Sequence, residues 1–333
     1  MTGRESMRLL IVIVNYRTAS LTIDCLRSLA DEIPTMPGAR AVITDNASGD
    51  DSIARLGAAI TDNGWSNWAS LLPLNRNGGF AYGNNAGIRP ALESSDPPQY
   101  VLLLNPDTVV RMGALRQLVE FMDAHPQVGI AGSRLEDPDG TPQRSAFRFH
   151  SIGSELESGL RLGFVSRMLS RKVVAPPAPT EAGPTDWVAG ASMIIRREVF
   201  RDIGLMDEGY FMYFEEVDFC LRASRAGWPC WYVPASRVVH LVGQSSGVTD
   251  EKKAGNRRPA YWFESRRRFF VNNFGRVRAF IANVAWTAGF AAFRARQFVQ
   301  RKADTDPACL LRDFIRYNFL LPFPSAGREP KAS

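Results

Sequence analysis

The stretch Arg8-Leu-Leu-Ile-Val-Ile-Val-Asn15 decides the fold. It is aliphatic and β-branched without polar alternation, so both faces call for a covering layer, as in a central parallel strand. The apolar run Leu9 to Val14 ends at Asn15-Tyr16-Arg17. It is too short for the core of a secretory leader and has no small-residue cleavage site behind it. Moving outward, Leu21, Cys25, Leu26 and Leu29 have helical spacing, with Ser20 placed as the N-cap. Ala41-Val-Ile-Thr44 reads as a second strand ending at Asp45-Asn46, and Asp50 and Asp51 precede a helix over Ile53 to Ile60. Ser70 to Leu74 is a third strand ending at Asn75, and Gly78-Gly79 turns the chain into a helix from about Ala81 to Ile88. Tyr100-Val-Leu-Leu-Leu104 is a fourth strand, followed by Asn105-Pro-Asp107. Strand then helix, four times over, predicts a doubly wound parallel sheet, in which ligands bind beyond the carboxyl ends of the strands. Asn15-Tyr16, Asp45-Asn46, Asn75 and Asp107 stand at those ends. Each alone is ordinary turn chemistry; four together mark a site.

The character then changes. Arg134 to Ala182, with Pro138, Pro142 and Ala175-Pro-Pro-Ala-Pro179, reads as an irregular and partly mobile insertion near residues 136–184. Regular pattern resumes over Asp186 to Ile195. A helix over Arg197 to Ile203 stops at Gly204, and one over Glu216 to Ala226 is capped by Gly227. Trp231 to Val233 and Arg237 to His240 read as two short strands, and from Pro259 the chain is basic and helical.

Composition narrows the class. With 45% hydrophobic and 22% charged residues in a chain of 333, disorder and fibrous repeats are excluded and a full core can form. Cys25, Cys220, Cys230 and Cys309 contain no C-x-x-C pair, which argues against a disulfide scaffold or structural zinc and for a reducing, cytosolic setting. The net charge of +6 is unevenly spread: residues 252–302 hold 13 Lys and Arg against the single acid Glu264. That block points to an anionic partner: phosphates, nucleic acid or an acidic membrane face. Within it, Ala279 to Phe293 is apolar or small apart from Asn283 and Thr287, and is bracketed by Arg278 and Arg294. It is too short to span a bilayer easily and suits a helix lying in the interface, or a core helix.

Several side chains could carry chemistry. Asp107 ends a hydrophobic strand, and Glu215, Glu216 and Asp218 follow the aromatic run Tyr210-Phe-Met-Tyr-Phe214. Adjacent carboxylates in apolar surroundings raise one another's pKa and suit one of them to general-base work; a helix N-terminus dressed with acids is the plainer reading. His240, ahead of the polar loop Gly243 to Gly247, is either a metal ligand or a hydrogen-bonded core histidine.

The motifs as a set resemble the bacterial family-2 glycosyltransferases of the GT-A fold, in particular their rhamnosyltransferase-like branch. They are Ile11-Val-Ile-Val-Asn-Tyr16, Thr44-Asp-Asn-Ala-Ser48, Asn75 to Ile88, Leu103-Leu-Asn-Pro-Asp107, Trp187-Val-Ala-Gly-Ala191 and Phe214 to Arg222, in family order. The resemblance implies a mixed α/β sheet with a Rossmann-like nucleotide-binding half. A GT-A domain over 1–258 would divide into halves at 8–110 and 111–258, with a basic helical region at 259–333 beyond it. Asn15 and Tyr16 would border the nucleotide, Asp45 its base, and Asn75, Gly78, Gly79 and Asn105 the nucleotide and sugar. Asp107 and His240 would hold Mg²⁺ or Mn²⁺. Glu216, with Glu215 as runner-up, would be the catalytic base, Asp218 and Arg222 would support their helix, and Asp186 and Trp187 would face the acceptor. One arginine of Arg266-Arg-Arg268, Arg266 first, would reach the donor diphosphate.

The implied reaction is an inverting transfer from a nucleotide-diphospho-sugar, with dTDP-L-rhamnose as one candidate, to a lipid-linked or polysaccharide acceptor. The implied place is peripheral, at the inner face of the cell membrane. Other readings are weaker. A sugar-nucleotide pyrophosphorylase needs a glycine-rich signature with Arg and Lys where this chain has Asn15-Tyr16-Arg17-Thr18. A nucleic-acid binder lacks helix-turn-helix, RNP and zinc signatures. A family-like protein without catalysis sits poorly with Asp107, Glu216 and His240 all being present.

Overall fold

The computed structural model describes residues 6–241 and 256–322. The Gly243 to Gly247 loop, Lys252 and Lys253 lie outside the described residues. The chain runs β1 (Leu9–Asn15), α1 (Ala19–Glu32), β2 (Ala39–Asp45), α2 (Ser52–Asp62), β3 (Ala69–Pro73), α3 (Gly79–Leu92), β4 (Tyr100–Leu104), β5 (Thr108–Val110) and α4 (Ala114–Ala124). Then follow β6 (Ile130–Glu136), β7 (Ala146–Phe147), α5 (Ile152–Leu160), α6 (Gly163–Met168), β8 (Gly183–Thr185), β9 (Trp187–Val188), β10 (Ser192–Arg196) and α7 (Arg197–Ile203). The described chain closes with α8 (Glu215–Arg225), β11 (Cys230–His240), α9 (Ala260–Val299) and α10 (Leu310–Ile315).

Among the described residues the main sheet has nine strands in the order β3-β2-β1-β4-β10-β6-β11-β5, with β8 pairing β11. The first four strands are parallel; β10 enters antiparallel between β4 and β6, so the sheet is mixed. Strand alternation splits the core into two layers. Leu9, Ile11 and Ile13 of β1 and Tyr100, Leu102 and Leu104 of β4 face one layer; Leu10, Val12, Val101 and Leu103 face the other. Burial on both faces is why these strands read as continuous apolar runs.

Several local expectations are corrected. Ser20 is not the cap of α1; Thr18 is, and its N–H and hydroxyl turn to the Asn15 Oδ1 instead. The two short strands expected around residue 235 are one strand, β11, whose register against β6 shifts between Val233 and Arg237. The bulge absorbs Pro234 and lets pairing resume. Residues 136–184 are not irregular throughout. They carry α5, whose N-terminus has a reciprocal Ser151–Ser154 capping box.

Helix α5 packs on α9 at backbone distance. A Cβ on Gly159 would stand 2.7 Å from the Trp286 carbonyl oxygen, and one on Gly289 3.0 Å from the Leu160 nitrogen. Below this contact the buried Glu155 carboxylate accepts from Arg266 at 2.6 Å and lies 3.1 Å from His150 Nδ1. Gly275 (φ 79°) breaks α9 into two helical arms. The residue-279-to-293 stretch lies in the second arm, and its Ala282, Trp286 and Phe290 are core positions packed toward α5 and α10.

Candidate functional site

At the carboxyl ends of β1 and β2, Asn15 and Asp45 are fully buried and bonded to each other, Asn15 Nδ2 donating to Asp45 Oδ2 at 2.7 Å. Ser48 closes the unit, its hydroxyl donating to Asp45 Oδ2 at 2.6 Å and its N–H to Oδ1 at 3.0 Å. Asn15 Oδ1 accepts from Thr18 and Thr22. Asn15 is thus spent on holding Asp45 in one orientation, while Tyr16 projects outward beneath the Arg17 guanidinium.

The Gly78-Gly79 turn sits beside this unit. The buried Asn46 donates to the Gly79 carbonyl at 2.9 Å and to Asn77 Oδ1 at 3.1 Å. Asn75 is exposed and accepts from the Tyr82 hydroxyl at 3.3 Å. Gly79 has φ 86°, and a Cβ there would fall 1.8 Å from the Phe211 carbonyl oxygen. That oxygen accepts the Phe80 N–H at 2.8 Å. The loop after β3 is therefore pinned to the aromatic loop that leads into α8, which only glycine permits.

Beyond β4, the Asn105 N–H donates to the Ala191 carbonyl at 3.0 Å. Asp107 is buried, with Oδ1 3.6 Å from His240 Nε2. Pairing of β5 with β11 sets this distance, because it places His240 opposite Thr108. The Leu241 N–H donates to the Asp107 carbonyl at 2.9 Å and Gln143 to the His240 carbonyl at 2.8 Å, fixing both backbones.

Glu215 and Glu216 open α8 after two left-handed residues, Tyr213 and Phe214 (both φ 69°). Oε2 of each glutamate is buried and has no hydrogen-bond partner among the described residues. Burial pushes the Glu216 carboxyl up to about 7; burial and the neighbouring Glu216 charge raise Glu215 well above the ordinary range. Asp218 plays a different part: it accepts from Tyr210, Arg222 and Asn273 and so ties α8 to its surroundings. Gly190, between Trp187 and β10, faces the Phe80 ring and lies near Glu216 Cβ.

Trp187 stacks on Phe147 at 4.2 Å between centroids and donates Nε1–H to the Arg148 carbonyl, so that ring face and donor are occupied. Asp186 is exposed and accepts the Phe149 N–H at 2.7 Å. Arg266 does not turn to the strand ends. Its guanidinium is buried against Glu155, Asn283 and Asn318, because an arginine on this face of α9 meets the acid of α5 first. Arg268 is held by both oxygens of Asp207, and Arg267 donates to the Tyr317 and Pro322 carbonyls. Arg258 is differently placed. It lies 4.4 Å over the Trp262 ring, its buried Nε has no hydrogen-bond partner among the described residues, and burial lowers its pKa. The sequence alone counted Asn46 among the strand-end polar residues without giving it a particular role, and assigned none to Gly190 or Arg258. Asn46 and Gly190 stood inside quoted motifs, but nothing local in the sequence marked Arg258.

Polar residues at the carboxyl ends of the parallel strands of this mixed sheet, Asp107 beside His240 among them, stand where α/β enzymes place their sites. Residues 7–261 match the family described as glycosyltransferase like family 2, and the chain belongs to that family. It is 29% identical over 192 residues to the N-acetylglucosaminyl-diphospho-decaprenol L-rhamnosyltransferase of Mycobacterium tuberculosis, covering 53% of this chain and 60% of that protein. It is 26% identical over 166 residues to the rhamnosyltransferase WbbL of Escherichia coli, covering 49% and 61%. The matches thus span about 60% of these relatives' own length. Among solved structures, the mannosyltransferase PcManGT of Pyrobaculum calidifontis, in complex with GDP-Man and Mn²⁺, superposes with a TM-score of 0.55 at 14% identity, over 93% of this chain and 79% of that one. GalNAc-T7 with UDP, GalNAc and Mn²⁺ gives 0.52 at 17% identity, over 71% and 44%. At such identities the likeness is one of fold, and that fold is the mixed-sheet GT-A architecture expected from the motifs.

Proposed function

We propose that this chain is an inverting glycosyltransferase acting on a nucleotide-diphospho-sugar, with dTDP-L-rhamnose the first donor to try. Its acceptor is a hydroxyl of a polyprenyl-diphosphate-linked or polysaccharide glycan, in cell-wall or cell-surface synthesis at the cytoplasmic side of the membrane. The observation that carries this is the adjacent pair Glu215–Glu216, with a buried, unpartnered oxygen on each and the Glu216 carboxyl pushed up to about 7. A buried acid without a partner is costly and is kept where something else must fill the gap. The names of the two rhamnosyltransferase relatives favour the sugar and the lipid-linked acceptor.

In this reading Glu216 accepts the proton of the acceptor hydroxyl as its oxygen attacks the anomeric carbon. The bond from that carbon to the diphosphate oxygen breaks on the opposite face, and its electron pair leaves with the nucleoside diphosphate. Glu216 is half-buried whereas Glu215 is buried, so Glu216 is the member open to an acceptor. Asp45, oriented by Asn15 and Ser48, accepts from the base. Asn46 and the Gly78-Gly79 turn line the nucleotide.

Asp107 and His240 suit a divalent cation: a carboxylate and an imidazole with facing atoms 3.6 Å apart. No group of three or more His, Cys, Asp or Glu that could hold a metal ion occurs among the described residues. Asp107 and His240 are the residues that would hold a cation here. When bound, Mg²⁺ or Mn²⁺ supplies positive charge to balance the departing diphosphate.

The test is release of nucleoside diphosphate from a panel of sugar nucleotides, with and without Mn²⁺ or Mg²⁺, in the presence of a lipid-extract acceptor. Turnover of one donor that is lost in Glu216→Gln with donor binding intact supports the assignment. A panel in which no donor binds would refute it.

A further inference from the structure

The second arm of α9 has two faces. The inner one carries Ala279, Ala282, Asn283, Trp286, Gly289 and Phe290, all buried. The outer one is exposed and uncharged. Val277 is 74% exposed, Phe280 57%, Ile281 44%, Val284 44%, Phe298 86% and Val299 80%. Alanines 288, 291, 292 and 295 fill the exposed positions between them. These positions recur at three- and four-residue steps and make one stripe over about 33 Å at 1.5 Å per residue. The T-shaped contact of Phe280 with Phe319 extends the stripe onto the turn after α10, where Leu320 is 72% exposed.

Charge is arranged around this stripe in a particular way. At about 100° per residue, Arg276 and Arg294 project from one flank and Arg278 and Arg296 from the other, each pair five turns apart. Arg294 is paired with Asp304 and Asp306, and Arg296 donates to the Leu160 and Arg161 carbonyls. Arg312 and Arg316 are exposed on the neighbouring helical turns. From Arg276 to Val299 the chain contains no acid at all.

We propose that this face docks the protein onto an anionic lipid surface, the helix lying in the plane of the interface. Among the described residues no helix is long and apolar enough to cross a membrane, so the stripe lies on the bilayer. Valine, phenylalanine and isoleucine bury at the headgroup boundary. The arginines on both flanks reach up to lipid phosphates, their stems lying along the apolar surface. A second copy of this chain is the poorer occupant, because a two-fold contact would set these arginine flanks against each other. The first arm of the same helix carries Tyr261 and Trp262, which pack on the aromatic loop ahead of Glu215. With a lipid-linked acceptor, docking and transfer would share this one helix. That last step rests on the proposed lipid-linked acceptor; the docking face itself does not.

The test is co-sedimentation of the full chain with phosphatidylcholine vesicles and with vesicles containing phosphatidylglycerol, alongside nucleotide titration of the same protein. The expected result is binding to the anionic vesicles, weakened at least tenfold in Ile281→Glu/Val284→Glu and made less dependent on phosphatidylglycerol in Arg276→Ala/Arg278→Ala. Both variants change exposed positions, so their melting curves and nucleotide affinity should match the parent. No binding to anionic vesicles, undiminished binding by the glutamate variant, or a dimer in gel filtration that the same substitutions break apart would overturn the proposal. Nucleotide binding without vesicle binding defeats the docking face alone; vesicle binding without nucleotide binding defeats the donor assignment alone.

Discussion

His240 Nε2 stands 3.6 Å from Asp107 Oδ1 because β11 pairs antiparallel with β5, setting His240 opposite Thr108. Two groups far apart in the chain thus meet at one strand end, held by backbone bonds rather than by each other. Replacing either side chain by alanine should leave the ladder intact. His240→Ala and Asp107→Ala are expected to weaken Mn²⁺ binding, in the presence of nucleoside diphosphate, by at least the roughly 10- to 100-fold that loss of a ligand's supporting partner alone produces. Calorimetric titration measures it; unchanged Mn²⁺ affinity in both variants would remove the pair from the metal site.

Glu216 titrates near 7, so as a base it is active only once deprotonated, and turnover should rise with pH through about 7. Glu216→Gln should lower kcat by roughly 10²- to 10⁴-fold, the usual range for a lost general base. The sign for stability is opposite. A carboxyl raised by burial favours the folded state below its unfolded pKa, and that contribution is lost as pH rises through the folded value. Glu216→Gln should therefore melt at a higher temperature than the parent at pH 8 but not at pH 4. A pH-independent difference in melting would show that the side chain is not buried as charge.

The Glu155 carboxyl responds in the opposite sense. Burial alone would raise it, but the Arg266 guanidinium and His150 outweigh burial and hold it at about 2. A depressed carboxyl contributes stability above its unfolded pKa of about 4.5 and loses it as pH falls toward 2. Removing one partner of so buried a pair costs about 3–5 kcal/mol. Arg266→Met should accordingly melt far below the parent at pH 7, with the gap closing toward pH 2, while the KM for donor stays the same. A raised KM with unchanged melting would instead return Arg266 to the diphosphate.

Gly79 joins two loops of the site. At φ 86°, with the Phe211 carbonyl oxygen 1.8 Å from where an alanine Cβ would sit, Gly79→Ala must break the Phe80–Phe211 hydrogen bond. The backbone strain alone is about 1–3 kcal/mol. Nucleotide affinity should fall roughly tenfold or more, which equilibrium binding of nucleoside diphosphate would show. Gly57→Ala, in open space on the surface helix α2, serves as the silent control.

What the sequence determined by itself is local and periodic. The aliphatic runs of β1 and β4 require cover on both faces, and β4 ends at Leu104 as read. The stop of α7 at Gly204 and the acids opening α8 were equally legible, because caps and helix-end charges act within one turn. The polar residues at strand ends were legible because each apolar run stops at one. Tertiary structure alone decided which distant groups meet. Nothing local distinguishes Arg266 from Arg268, yet one is buried on Glu155 and the other held by Asp207, because α9 turns successive residues toward different neighbours. Segment 136–184 read as irregular because prolines punctuate it; α5 is fixed there by its capping box and by close contact of Gly159 with α9. The meeting of His240 with Asp107 likewise needed the register of β11, bulge included. A periodic pattern specifies which face of an element is buried; the partner it is buried against is set by packing distance, which no single stretch of chain contains.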